Sequence, residues 1–92
     1  MKQEQAEVIG LQALVWLIEN EELRPVFLGA SGATIEDLKT RAGDSDFLAS
    51  VLDFILLDDA HVTGFCDANE LTYETPMQAL HSLPGQGMPN WP

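Results

Sequence analysis

The sequence predicts an all-α protein: a compact bundle of five or six short helices in one domain, residues 1–83, followed by a Pro/Gly-rich tail, residues 84–92. Three observations predict this class. Apolar residues recur at helical spacing, and residues that favour helix N-caps precede the apolar segments. No segment alternates apolar and polar residues as a half-buried strand would.

The third observation is an internal repeat with a shift of thirty-eight positions, which places Phe27 on Phe65 and Thr34 on Thr72. Apolar residues fall on apolar residues, and candidate caps fall on candidate caps. The repeat predicts two related three-helix units, residues 9–43 and 47–81, packed around central helices 1 and 4. Two copies are too few for a solenoid, so a closed bundle is expected.

The first predicted helix covers residues 2–19. From Leu11 to Ile18 it is apolar nearly all round, which is typical of a helix buried on several sides. Trp16 lies in this stretch and is expected in the core. The helix should therefore run through the middle of the bundle.

The second predicted helix covers residues 21–29 and is capped by Asn20. Pro25 would remove a hydrogen bond from its interior. The alternative is a helix that begins at Pro25, where the missing N–H costs nothing. Gly29, Ser31 and Gly32 are expected to end the helix.

The third predicted helix follows Thr34, which forms an approximate capping box with Asp37. Ile35 and Leu38 are expected to point inward. Gly43 should stop the helix in a left-handed conformation.

The second unit begins with a fourth helix, residues 45–57, capped by Asp44 or Ser45. It is as apolar as the first helix and is its counterpart in the repeat. The simplest way to bury two such helices is to pack them against each other. The shorter helices would then surround this pair.

A fifth helix, residues 59–69, is expected after the cap Asp58. A sixth is capped by Thr72, or by Thr75 ahead of a proline, and ends near Leu83. The tail that follows is too rich in proline and glycine to form regular structure readily.

The charge balance excludes several classes of partner. Four basic residues face fifteen acidic ones, for a net charge of −11. Direct binding to nucleic acid is disfavoured, because phosphates are normally met by clustered Lys and Arg. Anionic membrane surfaces are disfavoured for the same reason. An acidic decoy that occupies a basic nucleic-acid-binding surface on another protein is an alternative that rests on this charge.

The chain is expected to be cytoplasmic. Its only cysteine is Cys66, so no intramolecular disulfide forms. The first residues are polar and charged, unlike a secretory signal. The longest apolar run falls far short of the ~18–20 residues that a membrane span requires, so no membrane association is expected.

The candidate ligand or metal site consists of His61, Cys66 and His81. Their spacing matches no familiar zinc pattern and no Cys–His nucleophile signature. Cys66 also aligns with Leu28 in the repeat, which indicates a packing role. The sequence therefore predicts no catalytic residue, no cofactor, no metal and no enzyme, with a small-ligand or metal-binding protein as an alternative.

The chain resembles a family of short, acidic, all-helical bacterial proteins, mainly alphaproteobacterial, that are catalogued as a domain of unknown function. The resemblance covers about residues 8–91. The matching stretches are Ala13-Leu14, Trp16-Leu17, Phe27-Leu28, Ser31-Gly32, Asp46-Phe47-Leu48-Ala49, Val51-Leu52-Asp53-Phe54, and Leu83-Pro84-Gly85 before Trp91. Where the family commonly has Pro after the cap, this chain has Glu21 and Ser45. The resemblance implies no activity and no catalytic residue.

The function predicted from these observations is a non-catalytic protein–protein interaction module. The two very apolar helices, the missing chemistry and the tail all favour it. Trp91 either docks on the domain, or is free, or is a contact for a protein partner. A homodimer is also expected if one chain cannot cover both apolar helices by itself.

Overall fold

The computed structural model describes residues 1–83, and every structural statement below refers to this part of the chain. It contains helices and no strands, which confirms the predicted all-α class. The helices in chain order are α1 (Gln3–Glu19), α2 (Leu23–Ser31), α3 (Ile35–Arg41), α4 (Ser45–Leu56), α5 (Asp59–Asn69) and α6 (Thr75–Ser82).

Three helices form the centre of the bundle. α1 packs against both α4 and α6, and α4 and α6 also pack against each other. The prediction that the first and fourth helices are central is confirmed, and α6 joins them. α2 packs on α1, and α5 packs on α4. The largest fully buried side chains are Phe47, Phe65, Leu17, Leu38, Leu48, Leu52, Ile55, Val51, Pro76 and Cys66.

The two halves share an order of helices but differ in packing. Each half contains a long central helix followed by two shorter ones. α6 lies against both long helices, however, whereas α3 has no comparable interface with any helix. The predicted duplication of residues 9–43 in residues 47–81 therefore stays a prediction at the level of sequence.

Side-chain caps fix three helix starts, as predicted. Asp44 accepts a hydrogen bond from the N–H of Asp46 at 3.0 Å. Asp58 accepts one from the N–H of Ala60 at 2.8 Å. Each cap satisfies a backbone donor that has no partner within its own helix.

The third cap is a complete capping box at the start of α3. The N–H of Asp37 donates to Thr34 Oγ1 at 3.1 Å, and the N–H of Thr34 donates to Asp37 Oδ2 at 3.0 Å. α3 is only seven residues long, and Leu38 is its only buried residue. Its N-terminus therefore depends on this pair of hydrogen bonds.

Replacing Thr34 by alanine should lower the free energy of unfolding by ~1 kcal/mol, because the hydroxyl acceptor is lost. Thr34→Ser keeps the hydroxyl and should stay within ~0.5 kcal/mol of the parent chain. Urea unfolding followed by circular dichroism measures both. Equal losses for the two variants would show that the hydroxyl does not hold the helix start.

Pro25 is accommodated in a way that neither predicted alternative describes. α2 begins at Leu23, so Pro25 is its third residue, where a backbone N–H has no acceptor within the helix. Asn20 Oδ1 accepts hydrogen bonds from the N–H groups of Glu22 and Leu23, both at 3.0 Å. Asn20 therefore caps the turn that leads into α2, although the N-cap position itself is held by Glu22 and not by Asn20 as predicted. The first turn of the helix tolerates the proline.

One predicted helix end is confirmed and another is wrong. α2 ends at Ser31 and is followed by the left-handed Gly32, with φ of 71°, as predicted, although Gly29 lies inside the helix. Gly43 is not left-handed, because Ala42 ends α3 in a right-handed conformation. Glu70 fills the left-handed position after α5, with φ of 56°.

The start of α6 and one predicted core position also differ. Thr75 is the first residue of α6 rather than its cap, and Glu74 precedes it without a side-chain cap. Thr72 and Thr75 instead hydrogen-bond to each other through their hydroxyls at 2.8 Å. Leu38 is buried as expected, but Ile35 is 40% exposed rather than buried.

α1 and α4 approach each other closely at Gly10. A Cβ atom placed on Gly10 would lie 2.9 Å from Leu48 Cβ, well inside van der Waals contact. Ala6 and Ala13 lie one turn away on either side of Gly10 and are also fully buried. The small residues on this face of α1 therefore let the two central helices pack closely.

Candidate functional site

The predicted metal-ligating residues have separate surroundings. His61 stacks on the ring of Phe54 with centroids 5.3 Å apart, and its Nδ1 lies 3.4 Å from the carbonyl oxygen of Phe54. Cys66 is fully buried, and His81 is exposed in the last turn of α6. No group of three His, Cys, Asp or Glu side chains in residues 1–83 could hold a metal ion.

Cys66 has the surroundings of a packing residue. Its Sγ donates to the carbonyl oxygen of Thr72 at 3.3 Å, which ties α5 to the loop before α6. Burial raises the pKa of the Cys66 thiol, and the negative charge of Asp67 raises it further. Reactive cysteines have lowered pKa values, so these surroundings disfavour a thiolate nucleophile.

Cys66 should therefore resist alkylation in the folded protein. At pH 8 we expect iodoacetamide to label it more than about a hundredfold more slowly than in urea, because labelling requires opening of the core. Mass spectrometry of quenched samples measures the rate. Equal rates with and without urea would contradict the buried position.

The raised pKa also predicts a loss of stability at alkaline pH. The thiol is neutral in both states below its ordinary pKa of about 8.5, so the protein keeps its full stability there. As the pH rises through the raised pKa of the folded state, the unfolded chain ionises more readily and stability falls. Cys66→Ala should reduce this alkaline slope. An unchanged slope in Cys66→Ala would assign the effect to other groups.

The one extended apolar surface that α1 exposes lies beside the C-terminal end of α5. Val8, Leu11 and Val15 are 54%, 39% and 52% exposed, and they lie on one face of α1. With Trp16 from α1 and with Ala68 and Asn69 from α5, they line an open groove of about 360 Å³, called here the α1–α5 groove. Its lining is mostly apolar.

Trp16 forms the wall of this groove rather than part of the core. It is half-buried, and its ring meets the ring of Phe65 edge to face with centroids 6.1 Å apart. A Cβ atom on Gly64 would lie 3.0 Å from the indole Cζ2 of Trp16. The glycine therefore leaves room for the indole against α5. Trp16 is partly buried and packs against the core without being one of its buried residues, so the prediction that it lies in the core is wrong.

Three polar side chains line the groove. Gln12 and Glu19 join Asn69 beside the apolar residues. The Oε1 atom of Gln12 is buried and has no hydrogen-bond partner within residues 1–83. A buried acceptor without a partner costs ~1–3 kcal/mol, so a donor brought to this point would be favourable.

The helices that form the groove carry acidic residues and no Lys or Arg. α1 contains Glu4, Glu7 and Glu19, and α5 contains Asp59 and Asp67. The four basic residues of the chain are Lys2, Arg24, Lys39 and Arg41, all outside these two helices. The two helices therefore carry a net negative charge beside the apolar surface, and Arg24 approaches only the C-terminal end of α1, where its Nη1 donates to the carbonyl oxygen of Ile18 at 2.9 Å.

The expectation that α1 is buried on several sides was too broad, because α1 has two distinct apolar faces. One is buried and contains the small residues Ala6, Gly10 and Ala13 at spacings of four and three. The other carries the larger Val8, Leu11 and Val15 and is exposed. Small residues at helical spacing mark a close helix contact, and this signal could have separated the faces in the sequence.

Trp91 and the predicted tail, residues 84–92, lie outside the described residues. The proposal that Trp91 contacts a partner therefore stays a prediction. Within residues 1–83, no helix combines the length and the apolar character needed to cross a membrane.

The fold and the groove define a small all-α protein with an exposed apolar groove on its surface. The model of one family, described as "Protein of unknown function (DUF3572)", matches residues 3–86, and the chain belongs to this family. This confirms the resemblance to a family of unknown function, while its bacterial distribution stays a prediction. No curated protein and no solved structure matches the chain.

Proposed function

We propose that this protein is a non-catalytic protein–protein interaction module whose binding surface is the α1–α5 groove. The observation that carries the proposal is the second apolar face of α1. Val8, Leu11 and Val15 project from a central helix and are only partly covered by residues 1–83. Removing apolar surface from water contributes ~25 cal/mol per Å², so a partner that covers this face gains affinity.

Trp16 supports the same proposal. Tryptophan is enriched among the residues that dominate binding energy at interfaces, because its large ring buries much surface at a small loss of conformational freedom. The indole ring of Trp16 packs against Phe65, and part of its surface faces the open side of the groove. A preformed aromatic wall reduces the ordering that binding requires.

The surroundings of the candidate chemical residues favour a non-catalytic role. Cys66 is buried with a raised thiol pKa, and His61 is stacked on Phe54. His81 lies on α6, outside the groove. The alternative of an acidic decoy rests on net charge alone, whereas the interaction module is also supported by the shape and apolar lining of the groove.

Site-specific photo-crosslinking in the native cell tests the proposal. A photoreactive phenylalanine analogue is placed at Val15, inside the groove, and in a second strain at Val26 on α2. Val26 is the matched control, because it is a helical valine that is 54% exposed, close to the 52% of Val15. We expect a discrete crosslinked partner from position 15 and none from position 26.

A second substitution ties the crosslink to the groove. Leu11→Asn in the Val15 crosslinking strain should abolish the adduct, because a polar side chain at the centre of the apolar face weakens docking. Identical adducts from positions 15 and 26, or no adduct from position 15, would rule out the groove as the binding surface. An adduct between two copies of this chain would identify a homodimer.

A further inference from the structure

We infer that the occupant of the α1–α5 groove is an amphipathic α-helix of another protein that carries Lys or Arg at both ends of its apolar stripe. This inference rests on the proposed function, since it names the class of partner for the same groove. Laying the apolar face of a helix into a hydrophobic groove is a common mode of peptide recognition. The charge of the groove, the spacing of its residues and its hydrogen-bond acceptor that is unpaired within residues 1–83 indicate which side chains the partner helix should carry.

Two carboxylates stand at the ends of the exposed apolar face of α1. Glu4, Val8, Leu11, Val15 and Glu19 follow one another at spacings of four, three, four and four residues, so they lie along one side of the helix. At 1.5 Å per residue, Glu4 and Glu19 are separated by ~22 Å along the axis. This length corresponds to about four turns of a partner helix.

The charge of the groove selects a basic partner. The two helices that form the groove carry five carboxylates and no Lys or Arg. The nearest basic residues are Lys2, before α1, and Arg24, whose Nη1 donates to the carbonyl oxygen of Ile18 at 2.9 Å, so the net charge of the groove stays negative. An acidic partner would be repelled, since complementary charge governs both encounter rate and specificity. A second copy of this chain brings another −11 and presents the same acidic side, so self-association through this face is disfavoured.

Gln12 adds a polar requirement at the middle of the groove. It lies within one residue of the midpoint between Glu4 and Glu19, and its buried Oε1 has no hydrogen-bond partner in residues 1–83. A hydroxyl or amide donor near the centre of the partner helix would satisfy this acceptor once the Gln12 side chain turns towards the groove, because Oε1 is shielded from solvent in the free protein. The expected ligand is therefore basic at its two ends, apolar between them, and able to donate a hydrogen bond at its centre.

Fluorescence titration with two synthetic peptides tests the inference. The chain has two tryptophans, so Trp91→Phe in the full-length protein leaves Trp16, in the wall of the groove, as the only reporter. The first peptide is an amphipathic helix of about 18 residues, with a leucine stripe, a central serine on that stripe, and Lys at positions about four turns apart. The second peptide is identical except that Glu replaces Lys.

We expect a saturable change in Trp16 emission with the Lys peptide and an affinity at least tenfold lower with the Glu peptide. Val15→Asn should weaken binding of the Lys peptide at least fivefold, and the matched Val26→Asn should leave it unchanged. Glu19→Gln should weaken the Lys peptide a few-fold and reduce its salt dependence, whereas Glu36→Gln on α3 should not.

The outcomes separate this inference from the proposed function. If both peptides bind with equal affinity and Val15→Asn abolishes that binding, the groove remains the binding surface. The inference that the partner is basic would then be wrong. Binding of the Lys peptide that Val15→Asn does not weaken would show attraction to net charge alone and overturn the inference. Failure of the Lys peptide to bind would also overturn it. A concentration-dependent dimer of the protein alone, dissociated by Val15→Asn in sedimentation, would assign the groove to a second copy.

Discussion

Replacing Phe65 by alanine should lower the free energy of unfolding by about 3–5 kcal/mol, the largest effect expected from any single substitution discussed here. Phe65 is fully buried, and its ring supports Trp16 edge to face. Alanine would remove the buried ring and leave a cavity that α5 and its neighbours fill only in part. Small domains are stable by only ~5–15 kcal/mol, so this variant should approach the limit of folding.

Urea unfolding at 25 °C, followed by circular dichroism, measures the Phe65→Ala effect. Tyr73→Ala is the control, because Tyr73 is an exposed aromatic whose hydroxyl donates to Asp67 at 2.9 Å. Its loss should stay below ~1 kcal/mol, since exposed side chains contribute little. Similar losses for Phe65→Ala and Tyr73→Ala would contradict the position of Phe65 in the core.

Gly10→Ala should lower the free energy of unfolding by ~1–3 kcal/mol, even though alanine favours helix by ~1 kcal/mol relative to glycine. The added Cβ would lie 2.9 Å from Leu48 Cβ, so α1 and α4 must move apart. The contact is with the first side-chain atom of Leu48, which a change of rotamer does not displace. Urea unfolding of the purified variant measures the effect.

Gly29→Ala is the matched control for Gly10→Ala. Gly29 lies within α2, and a Cβ placed there meets no atom within 4 Å among the described residues. Only the higher helix propensity of alanine should then affect stability, and the free energy of unfolding should rise by ~0.4–1 kcal/mol. The two glycine variants are expected to change stability in opposite directions. A stabilising Gly10→Ala would show that α1 and α4 do not approach closely at this point.

The fold class and the number of helices follow from local chemistry, which explains why the sequence predicts them well. Thr34, Asp44 and Asp58 satisfy backbone donors within three residues of themselves, so no knowledge of tertiary structure is needed to recognise them. The burial of Leu38 and Cys66 also follows from helical spacing and the repeat.

The features that the sequence did not reveal depend on the relative placement of helices. α6 packs against both α1 and α4, which its short, weakly apolar sequence did not indicate. Buried Pro76 and Ala79 are small enough to allow this close packing. The exposure of Val15 and the position of Trp16 depend in turn on how much of α1 the neighbouring helices cover. Helical spacing identifies an apolar face, but the packing of other helices decides whether that face is buried.

NMR chemical-shift mapping tests most directly whether the α1–α5 groove receives a basic amphipathic helix. The ¹⁵N-labelled full-length chain is titrated with the Lys peptide. We predict the largest amide shift changes along Val8, Leu11 and Val15 and at Ala68, with little change in α3. Changes centred on another surface, or spread evenly over the acidic exterior, would contradict the account.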